Sequence, residues 1–182
     1  MFRCLSIFIF LISTSITQAS DREKIIENLQ KTENLNFKFE QNINGKIENG
    51  YCTIQYPKKI FCDYLENKDK ALVSNGKSLV IKTKSSFYRY PLNKTPLNLI
   101  LDKKFLIKKI NNSAKKIMNN SYINYRIIEN DNEINVFFDK KTYNLIGWQT
   151  KDIYQNTNVT YLSSIQVNQN IKKDLFKLPS QN

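Results

Sequence analysis

Cys52 and Cys62 stand at equal distances from Pro57, at the centre of Tyr56-Pro57-Lys58. Proline between two runs of alternating apolar residues reads as the turn of a hairpin. With 51–55 and 59–64 as its strands, Gln55 faces Lys59, Ile54 faces Ile60, Thr53 faces Phe61 and Cys52 faces Cys62. Facing cysteines in a non-hydrogen-bonded pair have Cβ atoms at a spacing that a disulfide spans. The same register puts Cys52, Ile54, Ile60, Cys62 and Tyr64 on one face. The bridge is expected to be structural, since no Cys-x-x-Cys spacing suggests redox work. Two free buried thiols are the alternative.

An oxidising compartment is implied by the N-terminus. Arg3 supplies a positive charge, Leu5–Ile12 an apolar run, and Thr17-Gln18-Ala19 the small residues that a signal peptidase reads. The apolar run is too short for a membrane span. Residues 1–19 are therefore expected to be a cleaved export signal, leaving 20–182 as a single domain. Position 20 is Ser, not the Cys a lipid anchor needs there, so no anchor is expected.

The remaining pattern is mainly β with helical pieces. Ser20–Glu33 reads as a capped helix with an apolar stripe at Ile25, Ile26 and Leu29. Leu35, Phe37 and Phe39 alternate with polar residues, as in a half-buried strand. Strands are expected over 69–74 and 78–83, joined through Asn75-Gly76, a strong hairpin signal. Thr95-Pro96 opens a short helix over Leu97–Leu101. Phe105–Met118 fits either helix or loop. Strands then follow over Tyr122–Glu129, Glu133–Asp139, Leu145–Asp152 and Asn158–Ser164, with a last piece near Leu175–Leu178. Short strands with polar turns argue an antiparallel sheet or barrel.

Composition removes most familiar chemistry. There is no His, which excludes Ser-His-Asp triads, Cys-His dyads and His-ligated zinc. The four Gly form no phosphate-binding loop. Neither catalytic residues, nor a metal site, nor a cofactor is expected. Asp63, Glu66, Asp69 and Asp102 are scattered acids without the local spacing of a carboxylate pair. The net charge of +12 would suit nucleic acid, an anionic membrane or an acidic partner. Export argues against nucleic acid. The chain is also rich in Lys, Asn and Ile, the products of A/T-rich codons, and its Lys pairs are spread from Lys58-Lys59 to Lys172-Lys173. Base-composition bias is read as the main source of the charge.

In order along the chain come Phe37-Lys38-Phe39-Glu40-Gln41, a Gly50 strand ending in Tyr56-Pro57, Ser74-Asn75-Gly76-Lys77-Ser78-Leu79, Thr95-Pro96-Leu97-Asn98-Leu99-Ile100 and Leu175-Phe176-Lys177-Leu178-Pro179. This ordered set resembles the LolA family of periplasmic carriers of outer-membrane lipoproteins, over essentially the whole exported chain. The resemblance implies an unclosed, strongly curved antiparallel β-barrel with a helical lid. Acyl chains of lipoproteins would lie between the two. The implied partners are acylated lipoproteins, an ATP-driven ABC-type releasing complex in the inner membrane and a receptor in the outer membrane. A periplasmic monomer without enzymatic activity is expected.

Cavity-lining candidates are Ile54, Tyr56, Ile60, Tyr64, Leu97, Ile100 and Leu101. On their pattern alone these residues fit a filled core as well as a cavity. The family commonly has Arg before the hairpin Pro, tying lid to sheet. Tyr56 stands there, the latch candidate of this chain, and brings no fixed charge or forked donor. Ile60 replaces a frequent cavity Phe, and the Cys pair is not a general family feature. The rival reading is a lipid-binding or envelope-stress-sensing periplasmic protein of the same fold that passes no cargo on.

Overall fold

The computed structural model describes residues 19–112, 115–118, 121–129, 132–151 and 155–181. The expected export signal lies outside them except for Ala19. The chain opens with helix α1 (Asp21–Lys31). Ser20 caps it in a reciprocal box: the Glu23 amide donates to Ser20 Oγ at 3.3 Å, and the Ser20 amide donates to Glu23 Oε2 at 2.6 Å.

Six strands follow: β1 (Asn34–Ile43), β2 (Lys46–Gln55), β3 (Lys59–Tyr64), β4 (Ala71–Asn75), β5 (Ser78–Lys82) and β6 (Phe87–Pro91). Helices α2 (Leu97–Ile100) and α3 (Lys103–Asn112) come next. Then come β7 (Lys115–Met118), β8 (Tyr122–Glu129), β9 (Asn132–Asp139), β10 (Leu145–Lys151) and β11 (Thr157–Val167). Among the described residues, the eleven strands form one antiparallel sheet in the order β6-β5-β4-β3-β2-β1-β11-β10-β9-β8-β7. Its two ends, β6 and β7, do not pair with each other, so the sheet is not closed into a barrel.

The β2–β3 register is the expected one, Cys52 opposite Cys62 and Ile54 opposite Ile60. The two cysteines are bonded, with Cα atoms 4.1 Å apart. At Asn75-Gly76 the Asn75 side chain accepts from the Lys77 and Ser78 amides, both at 3.0 Å, and Gly76 takes φ +96°. Residues 84–118 contain β6, a 3-10 turn at Leu92–Lys94, the one-turn α2 expected after Pro96, α3 and β7. Of the two readings open for Phe105–Met118, the first half is helix and the end is a strand.

The strand expected near Leu175–Leu178 does not exist. Residues 173–176 form a turn, and the tail crosses the outer face of the sheet, with Lys59 Nζ 5.8 Å from the Phe176 ring. The reason is topological. The chain leaves β11 in the middle of the sheet, where both neighbouring strands are already paired. Asn34 anchors the tail: its Nδ2 donates to the Gln169 carbonyl at 3.0 Å, and its Oδ1 accepts from the Gln169 amide at 2.9 Å.

The core lies on the concave face. Ile25 and Leu29 of α1 and Leu106 and Ile110 of α3 are buried in one cluster with Ile123, Tyr125 and Phe138 of the sheet. This half of the concavity is filled.

Gly50 is a packing requirement. A Cβ there would sit 1.9 Å from the Asp63 carbonyl oxygen and 2.6 Å from the Phe39 ring. Gly50→Ala should destabilise the fold by about 2 kcal/mol or more, as overpacked sites do, read as a lower urea midpoint. Reducing the Cys52–Cys62 bridge should cost about 2–3 kcal/mol for a loop of this length, read as a midpoint shift with and without reductant.

Candidate functional site

The other half of the concavity is not filled. A cavity of about 200 Å³ lies between β1–β5, β10–β11 and the segment leading into α2. Its apolar wall comes from Phe39, Ile60, Leu72, Leu79, Leu97, Ile100 and Trp148. Alternation in each strand aims these side chains inward, and the register aligns them across strands: Ile60 faces Ser74, which faces Leu79, while Cys62 faces Leu72. Phe39 meets Tyr64 edge-on with ring centroids 5.2 Å apart.

One side of the cavity is polar. Gln41, Thr150, Asn158 and Thr160 line it, and Gln41 Nε2 donates to Asn158 Oδ1 at 3.0 Å and to Thr160 Oγ1 at 3.2 Å. The site thus offers a mostly apolar surface with a small hydrogen-bonding group on one side. Among the described residues no group of His, Cys, Asp and Glu is placed to hold a metal ion.

Of the residues expected from sequence, Ile60, Tyr64, Leu97 and Ile100 line this cavity. Ile54, Tyr56 and Leu101 are buried in the adjoining core and do not line it. Phe39, Leu72, Leu79, Trp148 and the polar group also line it and are not among the cavity residues expected from sequence. Leu79 follows the recognised Asn-Gly turn and Phe39 lies in the recognised β1, so their pattern was visible. Trp148, Thr150, Asn158 and Thr160 come from β10 and β11 in the far half of the sheet, and only the β1–β11 pairing brings them round to Gln41.

The lid is held by the β2–β3 hairpin tip. The Lys58 amide donates to the Leu101 carbonyl at 2.8 Å, and Lys58 Nζ lies 3.3 Å from Asp102 Oδ2. Asp102 also starts α3, its Oδ1 accepting from the Phe105 amide at 3.1 Å. Tyr56, the latch candidate, has a buried hydroxyl with no hydrogen-bond partner among the described residues. Burial pushes its pKa well above that of an ordinary tyrosine. Its ring lies beneath Lys103, whose Nζ is 5.8 Å from the centroid. Lys103 in turn donates to the Thr32 carbonyl at 2.8 Å. The cation that ties tip to lid thus sits on the far side of Pro57 from Tyr56.

Comparison with known proteins agrees with this architecture. No curated protein matches the sequence. Solved structures match at low identity, which speaks for the fold alone. A conserved uncharacterised protein of Thermus thermophilus is similar at a TM-score of 0.53 and 6% identity, over 90% of this chain and 96% of that one. MucB is similar at 0.50 and 9%, over 89% of this chain and 64% of its own. A LolA-superfamily protein of Nitrosomonas europaea is similar at 0.45 and 8%, over 88% and 99%. The family model described as outer membrane lipoprotein carrier protein LolA matches residues 30–179, from the end of α1 to the tail on the outer face. Spanning nearly all of the described fold, that match means the chain belongs to the LolA family.

Proposed function

We propose that this protein is a periplasmic carrier that takes the acyl chains of lipoproteins into the cavity beside α2. In this reading it receives them from an ATP-driven inner-membrane complex and passes them to an outer-membrane receptor, with no covalent chemistry of its own. The observation that carries the reading is the cavity itself: a mostly apolar void, polar on one side, beneath a single helical turn with two weak polar ties.

Size and energy favour a lid that gives way. An apolar cavity of about 150 Å³ accommodates one benzene, so about 200 Å³ holds only a part of an acyl chain. The remainder needs the space that Leu97 and Ile100 occupy. Full burial of roughly fourteen methylenes would gain about 11 kcal/mol gross, at about 0.8 kcal/mol each. A carrier gripping that tightly would not release its cargo. Displacing α2 exposes apolar lid surface and lowers the net affinity, which makes hand-over feasible.

The ties are of a suitable size. Lys58–Asp102 is partly exposed and worth at most about 1 kcal/mol, and the Lys58 amide bond about 1 kcal/mol more. Together these two ties contribute roughly thirtyfold to closure at about 1.4 kcal/mol per decade, on top of the burial of Ile100 and Leu101.

Two measurements test this. Leu72→Trp projects a larger ring into the cavity from a half-buried position. It should lower affinity for a fluorescent fatty acid by tenfold or more at unchanged melting temperature, and it should abolish ATP-dependent release of lipoprotein from inner-membrane vesicles. Wild-type behaviour would remove the cavity as the acyl site. Acyl binding without lipoprotein release in the unsubstituted protein would leave a lipid-binding protein and exclude a carrier. Asp102→Asn keeps an acceptor for the Phe105 amide but removes the ion pair. It should raise fatty-acid affinity by up to about fivefold, the value of a partly exposed pair; lower affinity would mean the lid helps to hold cargo.

A further inference from the structure

Charge is divided very unevenly along this chain. Residues 70–128 carry thirteen Lys and Arg and a single acid, Asp102, while the rest of 20–182 carries fourteen basic and fifteen acidic residues. A compositional bias toward Lys acts on the whole chain, and the remainder is close to neutral. Bias therefore does not account for the excess, contrary to the reading of scattered lysines above. The fold turns this segment into one region: it supplies β6 and β7, the two open edges of the sheet, and the α2 and α3 lid strung between them.

Part of the charge is matched. Lys70 pairs with Glu48, Lys109 with Glu129 and Arg126 with Glu133. Asp102 is engaged by Lys58. Lys77, Lys84, Arg89, Lys94, Lys104 and Lys108 are exposed, and among the described residues none has a carboxylate within ion-pair distance.

Lys84, Arg89 and Lys94 bracket and occupy the edge strand β6. Its two tyrosines belong to the cavity face. Tyr88 faces Ile81, which faces Leu72; Tyr90 faces Leu79. Leu72 and Leu79 line the cavity, yet Tyr88 and Tyr90 are 51% and 44% exposed. Tyrosine, with an apolar ring and a polar tip, is the side chain that settles at the boundary of a bilayer.

We propose that this rim is a docking face for an anionic phospholipid bilayer, with β6 toward the headgroups and the tyrosine pair as the lip an acyl chain crosses between bilayer and cavity. Five of the six unmatched cations are lysines, flexible point charges that suit a fluid layer of phosphates better than fixed bidentate partners. Lipid is favoured over an acidic protein because the aromatic pair continues the apolar wall of the cavity to the edge. The purpose of the docking rests on the acyl-carrier reading; the surface does not.

The test is flotation of residues 20–182, free of cargo, with phosphatidylcholine vesicles and with vesicles containing phosphatidylglycerol. Binding is expected to the second only, and to be lost at high salt as the Debye length falls from about 10 Å to about 3 Å. The combined variant Lys84→Gln, Arg89→Gln, Lys94→Gln should lower the partition coefficient on the order of a hundredfold, at roughly fivefold per cation near an anionic surface. Its melting temperature and fatty-acid affinity should not change. Equal binding to both vesicles, unchanged binding by the variant, or binding to poly-glutamate in place of anionic vesicles would overturn the proposal. Vesicle docking without fatty-acid binding would remove the carrier reading alone.

Discussion

A sheet that curls without closing leaves a concave apolar face larger than its own side chains can fill, and the rest of this structure is a response to that. The eleven strands run from β6 to β7 with no pairing between those ends. Among the described residues, covering the concave face falls chiefly to the α-helices α1, α2 and α3. Helices α1 and α3, with eleven and ten residues, bring Ile25, Leu29, Leu106 and Ile110 into one half and close it as ordinary core. Helix α2 has four residues and contributes chiefly Leu97 and Ile100 to the other half. One turn does not carry enough side chain to fill that half, and the void that remains is the candidate site.

The same shortage explains why the lid needs an outside support. A four-residue helix has no stability of its own. It is braced at the α2–α3 junction by the β2–β3 tip, through the Lys58 amide and ammonium groups. The disulfide one strand-length back makes that hairpin a stiff arm. The lid is therefore positioned by few polar contacts and by the burial of Ile100 and Leu101.

The hairpin was legible because its information is local. Alternation, a central proline and two cysteines at equal distances define one register, and a one-residue slip would separate the sulfurs and turn either Ile54 or Ile60 outward. Residues 84–118 were harder because their elements are short and their charged residues, Asp102 apart, are all basic. Tyr88-Arg89-Tyr90 carries no apolar face of its own to mark a strand, and it becomes one by pairing with β5. Leu175–Leu178 has the apolar content of a strand but reaches the sheet where no edge is free. Tyr56 occupied the position where a latch was expected, yet Lys58 bears the ion pair, because the chain reverses at Pro57 and the outgoing residue points to the lid.

By itself the sequence determined the secondary elements with strong local signals, the Cys52–Cys62 register, the lack of His-based chemistry and the excess of positive charge. These depend on residue types and on spacings of a few positions. Only the tertiary structure decided that half of the apolar face is core and half is cavity, that Trp148 and the Gln41 cluster share it, and that the unmatched charge gathers about the β6 edge and the helices that follow it. Alternating apolar residues look the same whether the space before them is filled or empty. A void is the difference between the volume a curved sheet encloses and the volume its covering helices supply, and that difference exists only once strands far apart in the chain have been brought together.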